Sequence, residues 1–336
     1  MTWLTFRTSS RVFISLTPNK DCMPVFNIHH ITKYEYDRPV KESVNEIRIY
    51  PYACQHQEAL YHQVNISHAP EILLVDDYWG NRTGMFNLLP SHHELIIESK
   101  LFVRTLGQSN AVLNNNAGLQ EIHADKNNNL HLLELSQVKE IELKDQLNAL
   151  LQEFYTEGTP VASVIEQCCS YIFNNFKYIK GITNIETTVR EILELRSGVC
   201  QDFAHVMLEL LRSIGIPSRY VSGYICPNKN GMRGEGATHA WIEAWIPRTG
   251  WTGIDPTNNV WVTNHHVKLA VGRNFNDCSP IKGTFKGPAR QSLSVYVSVG
   301  YEDGQTFEEM NAVRMEKLTN SDNVPDVASF AGQQQQ

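Results

Sequence analysis

The 336-residue sequence predicts an α+β protein, with an N-terminal antiparallel β domain followed by a domain of mixed helices and strands. Three observations carry this expectation. From Met23 to about Thr105, short runs alternate apolar and polar residues, with turn residues between them and no helical spacing. From Val161 to Ile214 the apolar positions take up the helical rhythm, and after Gly215-Ile216-Pro217 alternation returns. Successive strands followed by segregated helices and further strands are the order of an α+β chain.

The first strands are expected at Ile28–Tyr36, Val44–Tyr50, Tyr61–Ile66 and within Glu94–Val103. Asp37-Arg38-Pro39, Pro51-Tyr52, Ala69-Pro70 and Trp79-Gly80-Asn81 separate them with turn chemistry. These place the β domain at residues 23–110. Asn114–Gly118 and Lys126–Asn129 bury too little apolar area to order themselves, so 111–135 reads as a polar connector.

The second domain is expected at residues 136–300. Val161–Phe176 and Thr187–Leu195 are amphipathic, and Cys200–Ile214 is the clearest helix. Its Phe203, Val206, Met207, Leu210, Leu211 and Ile214 repeat at helical spacing, and Gly215 with Pro217 stops it. Strands follow at Ser218–Tyr224, Thr238–Ile246, Trp251–Ile254 and Ser292–Val299. Residues 1–22 have no continuous apolar run or small-residue cleavage site and read as a disordered extension. Residues 301–336 read as a C-terminal segment whose glutamine-ended tail is disordered.

The formal net charge of −7 argues against nucleic acid as a partner. No apolar run reaches the ~18 residues that would cross a bilayer. Seven cysteines, an odd number without a framework spacing, suit reduced thiols in a cytoplasmic setting. Adjacent Cys168-Cys169 and the lack of any Cys-x-x-Cys disfavour zinc. The pairs His29-His30, His92-His93 and His265-His266 point to opposite faces of any strand and read as solvated.

The chemistry centres on Arg196-Ser197-Gly198-Val199-Cys200-Gln201-Asp202-Phe203-Ala204-His205. Cys200 opens the long helix, where free backbone N–H groups and the macrodipole favour a thiolate. It also shares the inward face with Phe203, as a purely packed cysteine would. In Thr238–Ile246 the period of two sets His239, Trp241, Glu243 and Trp245 on one face. The sole strong turn between His239 and Asp255 is Pro247–Gly250, so a hairpin there brings Asp255 opposite His239 or within a residue or two. A carboxylate so placed can orient an imidazole, and can equally form an Asx turn before Pro256. A thiol, an imidazole and a carboxylate are the parts of thiol acyl transfer, although spacing does not establish that Cys200 meets His239.

These segments resemble the transglutaminase-like superfamily of papain-like thiol enzymes, in particular its bacterial branch with an N-terminal β domain. The resemblance rests on Phe176-Lys177-Tyr178 with Thr187-Thr188, on Ser197–His205, and on Leu211–Tyr224. It continues through His239–Glu243, Gly250–Thr257 and Gly272–Pro280, with Pro51, Gln57, Asp77 and Gly80-Asn81 upstream. Ser218 stands where the family often has Ala, and Asn274-Phe275 where it often has Asp-Tyr.

The resemblance implies a papain-like, transglutaminase-like catalytic domain with Cys200 as nucleophile, His239 as base and Asp255 as orienting carboxylate. It implies a protein or peptide substrate, with no cofactor and no metal, and leaves the oligomeric state open. The expected activity is a cysteine peptidase-like hydrolase working through a thioester. The alternatives are a protein-glutamine transglutaminase or deamidase, and a non-catalytic binding protein that retains the three residues. Gln201 and Trp241 are candidates for oxyanion or cleft support, Trp241 having core packing as its other role. Asp202 reads as a first-turn residue favouring the helix dipole, and His205 as a helix-surface or packing residue rather than a second base. Cys226–Ala237, with three glycines, reads either as a flexible loop over the cleft or as a plain hairpin.

Overall fold

The computed structural model describes residues 23–106, 116–226, 232–234, 238–301, 306–313 and 327–331, the last two by backbone alone. The expectations for residues 1–22, for the glutamine tail and for most of 226–237 lie outside the described residues.

The first half is β, as its alternation dictates: β1 (Val25–Ile47), β2 (Gln57–Ile66), β3 (Leu73–Asp76), β4 (Arg82–Leu88) and β5 (His92–Thr105). β1 runs unbroken through Asp37-Arg38-Pro39, where the sequence suggests a turn. The register slips between Glu35 and Val40 and again between Lys41 and Val44. The strand bends there instead of reversing, which is how a bulge accommodates proline. Its first part pairs with β5, its second with β4.

Helices follow: α1 (Leu119–Asn127), α2 (Leu130–Glu134), α3 (Lys144–Leu151) and α4 (Val161–Asn175). The stretch expected to be a polar connector is thus largely helical. Ile122, Leu132 and Leu135 bury apolar side chains, and Asn129 caps α2 by accepting from the Leu132 N–H. These asparagines mark helix ends: Asn129 takes up a free N–H at the start of α2, and Asn128 Nδ2 donates to the Ala124 carbonyl at the end of α1. Next come β6 (Lys177–Tyr178), α5 (Val189–Leu195), β7 (Ser197–Gly198) and α6 (Cys200–Ser213). β8 (Ser218–Ile225), β9 (Thr238–Ile246), β10 (Gly250–Asp255), β11 (Val260–Trp261) and β12 (His266–Gly272) form an antiparallel sheet in the order β11-β10-β9-β8-β12.

The chain ends with α7 (Phe275–Cys278), β13 (Ile281–Lys286), β14 (Gln291–Tyr301), β15 (Thr306–Val313) and β16 (Val327–Ala331). β13 and β14, expected with the second domain, pair instead with β1, and β15 and β16 extend the same sheet from the C-terminal segment. The alternation of Leu293, Val295, Val297 and Val299 explains the placement. These residues are buried with Phe26, Ile28 and Leu101 in the core of the first sheet.

A second core packs α6 against one face of β9. Phe203, Val206, Met207 and Leu210 meet Ala240, Ile242, Ala244 and Ile246. The two cores are not independent, because Tyr224, Val267 and Leu269 from β8 and β12 lodge in the first. Two amides of the first domain complete the joint. Gln57 accepts from the Lys268 N–H at 2.9 Å and donates to the Lys268 carbonyl at 2.8 Å. Asn81 does the same with Val271, at 2.8 Å each way. Both amides therefore hold β12 as an added strand would. Among the described residues, no helix is long and apolar enough to cross a membrane.

Candidate active site

The segment before Cys200 is shaped to deliver it. Thr188 and Glu191 form a capping box that starts α5, and Arg196 ends it in the left-handed region at φ +49°. β7 then runs parallel to β6 and leads directly into α6. Val199 is the N-cap, and its N–H donates to Asp202 Oδ2 at 2.7 Å. Thr183 Oγ1 donates to the same oxygen at 2.6 Å. Asp202 leans over Gly198, where a Cβ would lie 2.4 Å from Oδ2, so glycine is required. Burial pushes the Asp202 carboxyl up, and these donors partly offset that. Asp202 therefore serves the helix start.

Cys200 stands at the first position of α6, buried and near enough to His239 for its thiol to interact electrostatically with the imidazole. His239 Nε2 donates to Asp255 Oδ2 at 2.8 Å, and both residues are fully buried. The β9–β10 register pairs Ile254 with Ile242, which carries Asp255 to the position opposite Trp241. Asp255 thus reaches His239 along the diagonal of the hairpin rather than straight across. Its Oδ1 accepts from the Thr257 N–H at 2.8 Å, so the Asx turn exists together with the bond to His239.

Burial alone would deprotonate His239. The charges of Asp255 and Cys200 and the hydrogen bond to Asp255 outweigh it and raise its pKa to about 10. Burial likewise opposes ionisation of Asp255, but the charge of His239 and its hydrogen bond hold the carboxyl well below its usual range.

Trp241 is fully buried and stacks on His239, with centroids 6.2 Å apart and planes 28° off parallel. Gly223 makes room for it: a Cβ there would fall 2.6 Å from the indole and 2.0 Å from the Val267 carbonyl. Trp241 thus walls the imidazole from behind. Gln201 is buried beside Cys200 on the first turn. Trp245, although on the His239 face, lies at the far end of the strand, where its Nε1 donates to Asp125 at 2.7 Å. His205 accepts from the Phe275 N–H at 3.2 Å, and burial lowers its pKa to about 3, so it is a neutral packing residue.

Two residues not foreseen complete the group. Asn258 Nδ2 donates to Asp255 Oδ2 at 2.7 Å. The same side chain brackets Arg233, accepting from its N–H at 2.7 Å and donating to its carbonyl at 3.2 Å. That brings Gly234 over the imidazole, where a Cβ would be 3.2 Å from His239 Nδ1. His266 is buried, with Nε2 at 3.4 Å from Asp255 Oδ2. It is not solvated, and neither are His30 and His92, since one member of each adjacent pair faces the interior. Both new contacts come from chain folding back on the hairpin, for which local spacing carries no signal.

His239, Asp255 and His266 bring their ligand atoms within 4.8 Å of one another and so form a candidate metal group. The 2.8 Å His239–Asp255 separation is that of a hydrogen bond, and a metal held by both at ~2 Å would have to replace that proton and part the pair. A cavity of about 130 Å³ lies further along α6, lined by His205, Glu209, Arg212, Arg273 and Phe275 rather than by Cys200.

Residues 148–256 match the transglutaminase-like superfamily, and residues 26–104 match the bacterial transglutaminase-like N-terminal region. An uncharacterised protein of Mycobacterium leprae is 31% identical over 290 residues, covering 80% of this chain and 96% of that protein. A protein-glutamine gamma-glutamyltransferase of Pseudomonas aeruginosa is 39% identical over 74 residues, 20% of this chain and 11% of that one. Among solved structures, a candidate cysteine protease from Cytophaga hutchinsonii superposes with a TM-score of 0.69 at 21% identity, covering 87% of this chain and 98% of that one. An α+β fold with an N-terminal antiparallel β domain, a matching superfamily core and a near full-length relative lead to one conclusion: the chain belongs to the transglutaminase-like superfamily, in the form that carries the bacterial N-terminal region.

Proposed function

We propose that the protein is a Cys-His-Asp thiol enzyme that opens amide or peptide bonds through a thioester, with hydrolysis as its outcome. The observation that carries this is the chain of contacts from Cys200 at a helix N-terminus, through His239, to the buried Asp255. Such a chain pairs a thiolate with an imidazolium.

In this reading Cys200 Sγ attacks the carbonyl carbon, and the oxygen takes the electron pair. The Cys200 backbone N–H at the start of α6 is a natural donor for that oxyanion. His239 gives its proton to the leaving nitrogen as the C–N bond breaks, leaving an acyl thioester and a neutral imidazole. A water then loses a proton to His239 and attacks the thioester. The C–S bond breaks, the acid departs, and the thiolate–imidazolium pair is restored. Asp255 holds the imidazole in the orientation that serves both transfers. The substrate is a protein or peptide. The six described cysteines are free thiols, which supports a reducing, cytoplasmic setting.

A second reading, amine transfer to glutamine, has its own support in the similarity to a protein-glutamine gamma-glutamyltransferase. The two differ only in which nucleophile resolves the thioester. Incubation with a glutamine-rich protein and a labelled amine separates them. New N-termini or released ammonia without label indicate hydrolysis, and incorporated label indicates transfer. Either activity should vanish in Cys200→Ala; undiminished activity in that variant would overturn the enzyme assignment.

A further inference from the structure

His266 opens β12 and is buried beside Asp255. The Thr263 backbone N–H donates to His266 Nδ1 at 3.3 Å, so that nitrogen carries the lone pair and the ring proton sits on Nε2. Nε2 is the atom 3.4 Å from Asp255 Oδ2. The ring stands edge-on to Trp241, with centroids 5.2 Å apart and planes at 76°.

We propose that His266 is a positioning residue for Asp255: a donor that, together with Asn258, steadies the carboxylate so that one oxygen stays aimed at His239. The proposal rests on reading Cys200, His239 and Asp255 as the reacting group. With His266 included, the buried carboxylate receives four donors: Thr257 N–H on Oδ1, and His239, Asn258 and His266 on Oδ2. A buried anion needs such satisfaction to stay ionised. Burial lowers the His266 pKa, so the ring supplies a hydrogen bond without a second positive charge to compete with His239.

This role also gives the N-terminal domain a route to the site. Gln57 clamps the backbone of Lys268, two residues beyond His266. Thr105 Oγ1 donates to the Asn264 carbonyl at 2.6 Å, two residues before it. The strand that presents His266 is therefore held on both sides by the first domain. A cavity of about 20 Å³ between His56, Gln57, Trp241 and His266 leaves room behind the ring for a side chain of slightly different shape.

Comparison of His266→Gln with His266→Phe tests this. Glutamine keeps an N–H donor near the Nε2 position, whereas phenylalanine keeps a ring without a donor. The readout is alkylation of Cys200 by iodoacetamide at pH 7, followed by peptide mass spectrometry, with the melting temperature of each variant. The phenylalanine variant should react roughly 10- to 100-fold more slowly than the wild type, and the glutamine variant should recover most of that loss. A reactive wild-type thiol with an equally reactive phenylalanine variant, or equal losses in both variants, overturns the positioning role and leaves the enzyme reading intact. An inert wild-type thiol overturns both. Long-range ¹H–¹⁵N spectra of the wild type provide a readout independent of reactivity. His266 should be neutral with its proton on Nε2, and an imidazolium or an Nδ1–H tautomer overturns the proposal.

Discussion

Asp255 Oδ2 receives His239 Nε2–H at 2.8 Å and Asn258 Nδ2–H at 2.7 Å, so one carboxylate oxygen joins the imidazole to the loop segment lying over it. The first consequence concerns pH. The raised pKa of His239 means that the imidazolium persists from below about 6.5 through neutrality and is lost as the pH rises through about 10. In Asp255→Asn, burial is left with less to oppose it, and the His239 pKa falls. The alkaline limb of the amide-cleavage profile should then move to lower pH, with the rate reduced by up to ~10⁴-fold. A pH–rate series on the two proteins checks this, and an unmoved limb would contradict it.

The cap at the head of α6 carries a second expectation. Gly198→Ala would put a Cβ 2.4 Å from Asp202 Oδ2 and push Asp202 away from the Val199 N–H and Thr183. Losing a cap and crowding a packed site should cost about 2–3 kcal/mol. Urea unfolding measures the cost, and slower alkylation of Cys200 should accompany it.

Glu243 sits opposite Gly253, enclosed by Arg219 at 2.6 Å and by Lys268. Burial disfavours its charge, yet Lys268 and Arg219 outweigh burial and lower its pKa to about 2. A depressed carboxylate contributes stability above its ordinary pKa of 4.5 and loses it as the pH falls towards 2. Glu243→Gln leaves the buried Lys268 and the partly buried Arg219 without their anion and should cost roughly 3 kcal/mol at pH 7. The difference from wild type should shrink between pH 4.5 and pH 2 when both are unfolded in urea; a constant difference would count against this account.

The domain joint is testable through Asn81, whose amide pairs with both backbone groups of Val271. Asn81→Ala leaves a buried N–H and a buried carbonyl unpaired, each costing ~1–3 kcal/mol. Hydrogen exchange should show β12 losing protection while α6 keeps most of its own.

The legible parts of this protein were those encoded within one element or one turn. Phe203 through Ile214 repeat at helical spacing, and α6 forms there. Pro247–Gly250 marks the hairpin, and the distance from it to Asp255 and His239 brings the two within hydrogen-bonding reach. Where a residue's partner comes from a distant segment, the pattern was silent. Nothing around Ser292–Val299 says that these residues complete a sheet begun at Val25, because alternation specifies a half-buried strand and not its neighbours. His266 looked solvated for the same reason: its burial comes from Trp241 and Asp255, both brought from elsewhere in the chain. The asparagine runs near residue 128 misled differently, since the residues that disfavour helix interiors are those that cap helix ends.

The sheet shared by the two ends of the chain also sets a timetable. β1 ends at Ile47, yet its antiparallel neighbour β14 is complete only at Tyr301. A ribosome adding about 5–20 residues per second needs roughly 13–50 s to bridge that interval. Throughout it, one edge of β1 has no native strand to pair with, although β2, β4 and β5 on its other side are made by Thr105. The sheet begun by β1 is thus completed long after it is started, and the nascent chain must keep a long, apolar edge from pairing with other chains until β13 and β14 arrive.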